Sequence, residues 1–256
     1  MSNSMQIDLN DDCLKLQSDI NRFVELFDKL NLSLNISKCK VMTFTISRTS
    51  LVFPYHLGDT VISRCKDFIM DLGFKFTSNL DPSLHIEMIC CSALRTLGFV
   101  MRLAKDFSLK SSLKALYCTI VRPILEYGAV IWDPHTSVNA YQLERVQRRF
   151  FRFASYLMSI DCPPHDYTPV ATNLGLVTLA ERRCYFGNKF LKDLLTGVID
   201  SPSLLALVAF KVPLRSTCSN AMFHIPFSST NYMQNEPLRR LMSQANTDPT
   251  FNFLIF

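Results

Sequence analysis

Four arginines, Arg145, Arg148, Arg149 and Arg152, stand at i, i+3, i+4 and i+7, the spacing that gathers side chains on one face of an α-helix. A guanidinium is always charged and presents a planar fork of donors that matches phosphate and carboxylate oxygens. The apolar residues of the same stretch, Leu143, Val146, Phe150, Phe153 and Leu157, form a second stripe. At about 100° per residue the two stripes are centred roughly 130° apart. The spacing therefore predicts a helix from about Val138 to Leu157 with one buried side and one cationic side. Glu144 is the single acid in that stretch, so the four cations repel one another unless they meet phosphate, carboxylate or solvent. Two readings stand: a solvated face, or a surface that holds phosphates and loses affinity as salt rises.

Two other groupings invite a metal. Asp11 and Asp12 are adjacent carboxylates, but they stand just before an amphipathic pattern, where an orphan helix N-terminus wants acceptors and negative charge. No hairpin signal surrounds them, so they are read as helix-start residues. Cys162-Pro-Pro-His165 has ligand-like spacing without a second pair and is read as a turn. The nine cysteines, an odd number without a C-x-x-C pair, suggest neither a disulfide framework nor a zinc ribbon. They fit buried small hydrophobes in a reducing compartment.

A chain of 256 residues, 48% hydrophobic and 19% charged, with 20 Phe, has the means to bury a core and is not a disordered polymer. Seven Gly against 12 Pro argue against a Gly-rich nucleotide loop or a Rossmann crossover. The net charge of +5 is concentrated: from Arg95 to Arg152 there are ten Lys and Arg against four Asp and Glu, leaving the remainder near −1. A basic middle of this kind suits a polyanion. The N-terminus has neither a basic n-region nor an apolar h-region, and no run of about 18 apolar residues is evident. The expectation is an intracellular protein, cytoplasmic or nuclear, with no membrane partner.

The elements that must position the arginines follow from periodicity. A helix of about 18 residues starts near Asn10, with Leu16, Ile20, Phe23, Phe27 and Leu30 on its apolar face. Residues 39–46 alternate as a strand, Gly58-Asp59 centres a hairpin, and Cys65–Phe76 reads as strand, turn at Gly73 and an aromatic pair. Beyond Asp81 the pattern turns helical, with Ile86, Ile89, Ala93, Leu97, Val100 and Ala104 as one stripe. A second helix spans about Ser108–Val121, and Pro123 kinks or restarts it. Ile124–Trp132 reads as one helix buried on most sides, in which Glu126 needs a partner and Arg122 lies at i−4. Helices at about Thr178–Thr196 and Pro202–Phe210 follow, and from Lys211 the chain reads as a loop-rich tail.

Several of these strings resemble the non-LTR retrotransposon reverse transcriptases of the jockey-like kind. The most specific are VRPILEYGAVIWDP (Val121–Pro134) and LERVQRRFFRF (Leu143–Phe153), with Arg102, which the resemblance places in a helical thumb. DDCLKLQSDINRF and LNLSLNISKCKVMTF resemble the palm helix and strand after the family's catalytic hairpin. That implies that Lys38 matches the lysine proposed to help protonate the pyrophosphate leaving group. Asp71-Leu72-Gly73-Phe74 resembles the primer-grip turn, making Leu72, Gly73 and Phe74 its candidate residues. FHIPFSSTNYMQNEPLRRLMSQAN resembles the end of these proteins, with Asn231-Tyr232 and Arg239-Arg240 in matching places.

The resemblance, with the periodicity, implies an α+β chain: 1–78 a palm portion, 79–160 a thumb-like helical domain, 161–256 a helical extension with an irregular tail. In the family, catalysis needs a triad of aspartates holding two magnesium ions, and those residues lie before the point where this chain begins. No (Phe/Tyr)-Ala-Asp-Asp is present. The expectation is a fragment of an RNA-directed DNA polymerase, inactive alone and with no cofactor of its own. Its candidate nucleic-acid contacts are Arg102, Lys105, Arg145, Arg148, Arg149 and Arg152, set against an RNA or DNA duplex backbone. The alternatives are a thumb module that only binds nucleic acid, and the functionless product of a decayed element.

Overall fold

The computed structural model describes residues 10–45, 52–106, 112–212, 221–228 and 231–252. Its architecture is α+β, and the chain divides into two compact units, Met1–His85 and Ile86–Phe256.

In the first unit, α1 (Asn10–Lys29) carries Asp11 and Asp12 in its first turn, where carboxylates meet the positive end of the helix dipole. Its apolar face is only half-buried. The anchor is Cys13, which packs with Tyr55 and Ile62 in a small core flanked by Leu16, Ile20, Cys39, Val41, Phe53 and Leu57. Leu30, expected on the buried stripe, is 58% exposed. The strand expected over 39–46 is shorter: β1 (Lys40–Val41) pairs in parallel with β4 (Ser63–Arg64), after β2 (His56–Leu57) and β3 (Thr60–Val61) have formed the hairpin around Gly58-Asp59. A ladder runs only as far as its partner does, and beyond Val41 the chain is held instead by Arg64 on the Thr43 hydroxyl (2.5 Å) and by Thr45 N–H on the Ser78 carbonyl (2.9 Å). β5 (Phe68–Asp71) and β6 (Phe74–Thr77) form a second hairpin. Its two-residue turn, Leu72-Gly73, has positive φ at both positions (47° and 85°), the geometry that matches strand twist. Among the described residues the strands form three separate pairs and no continuous sheet.

The second unit is helical. α2 (Ser83–Asp106) starts after Asp81, whose carboxylate accepts the Ser83 N–H at 2.9 Å. The six stripe residues Ile86, Ile89, Ala93, Leu97, Val100 and Ala104 are all buried, each large aliphatic among them contributing about 1.5–3 kcal/mol. Ser83–Lys105 is nonetheless long and apolar enough by composition to cross a membrane, against the expectation that no stretch is. One stripe of the helix is buried, and Arg95, Arg102 and Lys105 are exposed on its other side, the pattern of an amphipathic helix that packs by one face.

Of the helix expected over Ser108–Val121, residues 108–111 lie outside the described residues; α3 (Leu113–Leu116) runs into a π-helical turn, Tyr117–Val121, and then α4 (Arg122–Glu126). Pro123 lacks the N–H that would continue the ladder, and the widened turn ahead of it accommodates its ring. The single buried helix expected over Ile124–Trp132 is instead two short ones, α4 and α5 (Ala129–Trp132), broken at Gly128 with φ +62°. Leu125, Ala129 and Trp132 are buried, whereas Tyr127 is 57% and Ile131 47% exposed. The break turns one apolar run into two inward faces.

α6 (Ser137–Met158) is capped by Thr136, whose hydroxyl accepts the Asn139 N–H at 3.3 Å. Leu143, Val146, Phe150, Phe151 and Ala154 are buried, and Phe150 stacks on Tyr117 at 4.0 Å between ring centres. α7 (Thr168–Leu174), not foreseen in the sequence, precedes α8 (Leu179–Leu195). The helix expected at Pro202–Phe210 shortens to α9 (Pro202–Leu205). Among its described residues the tail carries two helices that were not expected: after α10 (Asn231–Gln234), α11 (Pro237–Thr247) buries Leu238, Leu241, Met242 and Ala245 with Leu191, Leu194, Phe223 and Phe251. Asn246 fixes the incoming chain by bonding both the N–H and the carbonyl of Phe223, each at 2.9 Å.

Candidate nucleic-acid interface

The segment Val121–Pro134 is the internal hub of the helical unit. Glu126 takes a bidentate grip from Arg182 of α8 (Nη2 to Oε2, 3.0 Å, with Nε on Oε1), while the expected partner Arg122 stands further off at 3.6 Å. That grip raises the Arg182 pKa still further. Asp133 lies between Arg183 of α8 (2.6 Å) and Arg240 of α11 (3.6 Å). Arg240 also donates to the Val130 carbonyl at 2.6 Å, and burial pulls its pKa down from the ordinary value. The Trp132 indole donates to the Tyr127 carbonyl at 2.8 Å. These arginines are structural, turned inward onto carboxylates.

The arginines of α6 are placed differently. Arg145, Arg149 and Arg152 are exposed and Arg148 half-buried, and all four line one open groove of about 280 Å³. Leu94 of α2 forms part of its wall, Tyr141 lies one turn before Arg145, and His165 and Tyr167 arrive from the loop before α7. The Arg148 guanidinium sits over the Tyr141 ring at 4.2 Å, a cation–π contact that holds both side chains. Among the described residues none of the four arginines has an ion-pair partner. The nearby acids are engaged elsewhere. Glu144 accepts the Ala180 N–H at the start of α8 (2.9 Å). Asp166 accepts the Thr168 N–H (2.9 Å), and its hydrogen bonds from Thr168 hold its carboxyl below the usual range. A concave, cationic, aromatic-edged groove whose arginines have no ion-pair partner among the described residues is suited to binding phosphate oxygens.

The other candidates are not brought to this groove. Arg102 and Lys105 are exposed on the last turns of α2 but do not line it. In the first unit, Lys38 is an exposed residue closing a 3₁₀ turn, Ile36–Lys38. Leu72, 78% exposed, and Gly73 make the β5–β6 turn, while Phe74 is buried against His85 at 5.5 Å. The Cys162–His165 stretch is a turn, His165 having φ +64°. Asp11 and Asp12 are neighbours on one helical turn, and among the described residues no three His, Cys, Asp or Glu cluster. Tyr141 and Tyr167 were not singled out in the sequence, and His165 only as the end of the Cys162–His165 turn. Tyr141 was legible there, four residues before Arg145 on the same face, whereas the return of the 163–167 loop was not. No family model, curated protein or solved structure matches the chain.

Proposed function

We propose that this chain is the thumb-bearing part of a non-LTR retrotransposon reverse transcriptase, and that it holds RNA or DNA by the phosphate backbone without polymerase chemistry of its own. The observation that carries the reading is the groove of Arg145, Arg148, Arg149 and Arg152, four cations left without a carboxylate partner among the described residues. The less exposed arginines of the same unit are matched to acids, Arg182 with Glu126 and Arg183 with Asp133, whereas Arg95 and Arg102, exposed on α2, have no ion-pair partner among the described residues either. The contrast supports an external anion for the groove. Each phosphate held releases condensed counter-ions, so binding is salt-dependent and indifferent to sequence.

The test is fluorescence anisotropy of labelled oligonucleotides with the full chain. Affinity is expected to fall steeply with salt, and the double charge reversal Arg148→Glu with Arg149→Glu to weaken every sequence alike. Salt-independent binding, or an unaffected double variant, discards the reading. Template-primed, EDTA-sensitive nucleotide incorporation by the purified chain would refute the statement that it does no polymerase chemistry.

A further inference from the structure

The cationic stripe of α6 is bounded by an exposed tyrosine at each end. Tyr141 stands four residues before Arg145 and Tyr156 four residues after Arg152. At about 100° and 1.5 Å per residue, the six side chains from Tyr141 to Tyr156 leave the helix within roughly 100° of arc and along about 22 Å. The rings are open to solvent, 58% for Tyr141 and 79% for Tyr156. Arg148 covers one side of the Tyr141 ring at 4.2 Å, and Tyr156 has no ring or cation partner among the described residues. Helix geometry thus puts aromatic faces and phosphate-binding forks on one track.

We infer that this track takes single-stranded nucleic acid in preference to duplex, with the four arginines on successive phosphates and Tyr141 and Tyr156 stacked on bases. The inference rests on the phosphate-holding reading above and adds which form of the polymer is held. A duplex turns its phosphates outward and keeps its bases stacked inside, so it gives the arginines partners and the tyrosines none. A single strand offers both, because every base has a π face. About 22 Å spans roughly six nucleotides at the ~3.4 Å spacing of a stacked strand and fewer when the strand is drawn out. A basic groove with flanking aromatics is a general solution to sequence-tolerant binding of unpaired strands. An acidic peptide would satisfy the charges but not explain two exposed rings in line with them.

The experiment measures anisotropy with the full chain and four probes of about ten nucleotides: oligothymidylate, oligouridylate, a blunt DNA duplex, and an abasic strand with the same phosphates. A single strand is expected to bind at least about tenfold more tightly than the duplex, and the abasic strand to lose most of that advantage. The tighter of the two single strands names the polymer. Tyr156→Ala should weaken single-strand binding roughly 5- to 150-fold while leaving duplex binding unchanged, and Tyr141→Ala should weaken it by a similar factor beyond whatever duplex binding loses when Arg148 is freed from the ring. Tyr141→Phe and Tyr156→Phe, which keep the ring, should restore it. Duplex binding equal to or tighter than single-strand binding, an abasic strand that binds equally well, or alanine variants without effect would overturn the inference while leaving the backbone-holding reading in place. Absence of salt-dependent binding to all four probes would overturn both.

Discussion

The two kinds of arginine in the helical unit differ by what surrounds them, and the difference sets how each responds to mutation. Arg182 and Glu126 retain only 23% and 11% of their side-chain exposure, so removing one partner strands a charge away from water. Glu126→Ala is expected to cost about 2–4 kcal/mol in chemical unfolding, the lower side of the range for broken buried pairs because the site is not fully sealed. Arg122→Met, which removes the 3.6 Å neighbour, should cost well under half of that. A loss as large for Arg122→Met would mean that the pair had been assigned to the wrong cation. In the first unit His85, 2% exposed, accepts the Lys75 N–H at Nδ1 (3.3 Å), which requires a neutral ring. Burial lowers its pKa from the ordinary 6.5. The unfolded chain then binds the proton more readily, so the stabilisation is complete above about pH 6.5 and is lost as pH falls below it. Melting temperature should decline as pH falls below about 6.5, and His85→Gln, which keeps an acceptor but cannot titrate, should flatten that decline. Asp166 and Asp248, both held below 3.8 by their hydrogen bonds, titrate outside this window.

Whole elements show where pattern suffices and where packing decides. α1, α2 and α6 were legible because each keeps its apolar period for about four turns, α8 although Arg183 and Gly187 interrupt its buried face, and helix ends carry readable chemistry: Asp81 before Ser83, Thr136 before Ser137, Thr178 before Leu179. The break at Tyr127-Gly128 was not legible, because a continuous apolar run does not say which residues face inward. α11 was overlooked in a stretch rich in Ser, Asn and Pro, although Pro237 at its start and Leu238, Leu241, Met242 and Ala245 at helical spacing were there to be read. Short strands such as β1 depend on partners that no local pattern names. One close approach between elements gives a test. A Cβ on Gly187 of α8 would lie 2.6 Å from Leu241 Cδ2 and 3.3 Å from Gln244 Oε1. An alanine there gains up to about 1 kcal/mol in helix propensity, but Leu241 is 2% exposed and hemmed in by its cluster. Overpacking should win, and Gly187→Ala is expected to destabilise by about 1–2 kcal/mol. The double variant with Leu241→Ala should show that the two changes are coupled, since the small residue makes room for the added methyl. A Gly187→Ala chain as stable as the parent would show that α8 and α11 yield at this crossing.

At the scale of the molecule the question is how much of the positive charge reaches a ligand. The net charge is +5, yet the span from Arg95 to Arg152 alone carries +6, so long-range attraction and local contact both point to the same part of the chain. They separate in their dependence on salt. Long-range attraction through solvent decays over a Debye length of about 8–10 Å at ordinary ionic strength, whereas each phosphate held in contact contributes a fixed increment to the slope of log K against log salt. Four arginines in contact predict a slope near −3.6 for duplex and near −2.8 for a single strand. Recruitment of Arg102 and Lys105, which do not line the groove, would add about two further phosphates and steepen the duplex slope towards −5.4. The slope measured on the full chain therefore counts the cations in use. Its change in Arg102→Gln with Lys105→Gln then says whether α2 takes part: no change confines the site to the face of α6, and a slope shallower by about two increments extends it along α2.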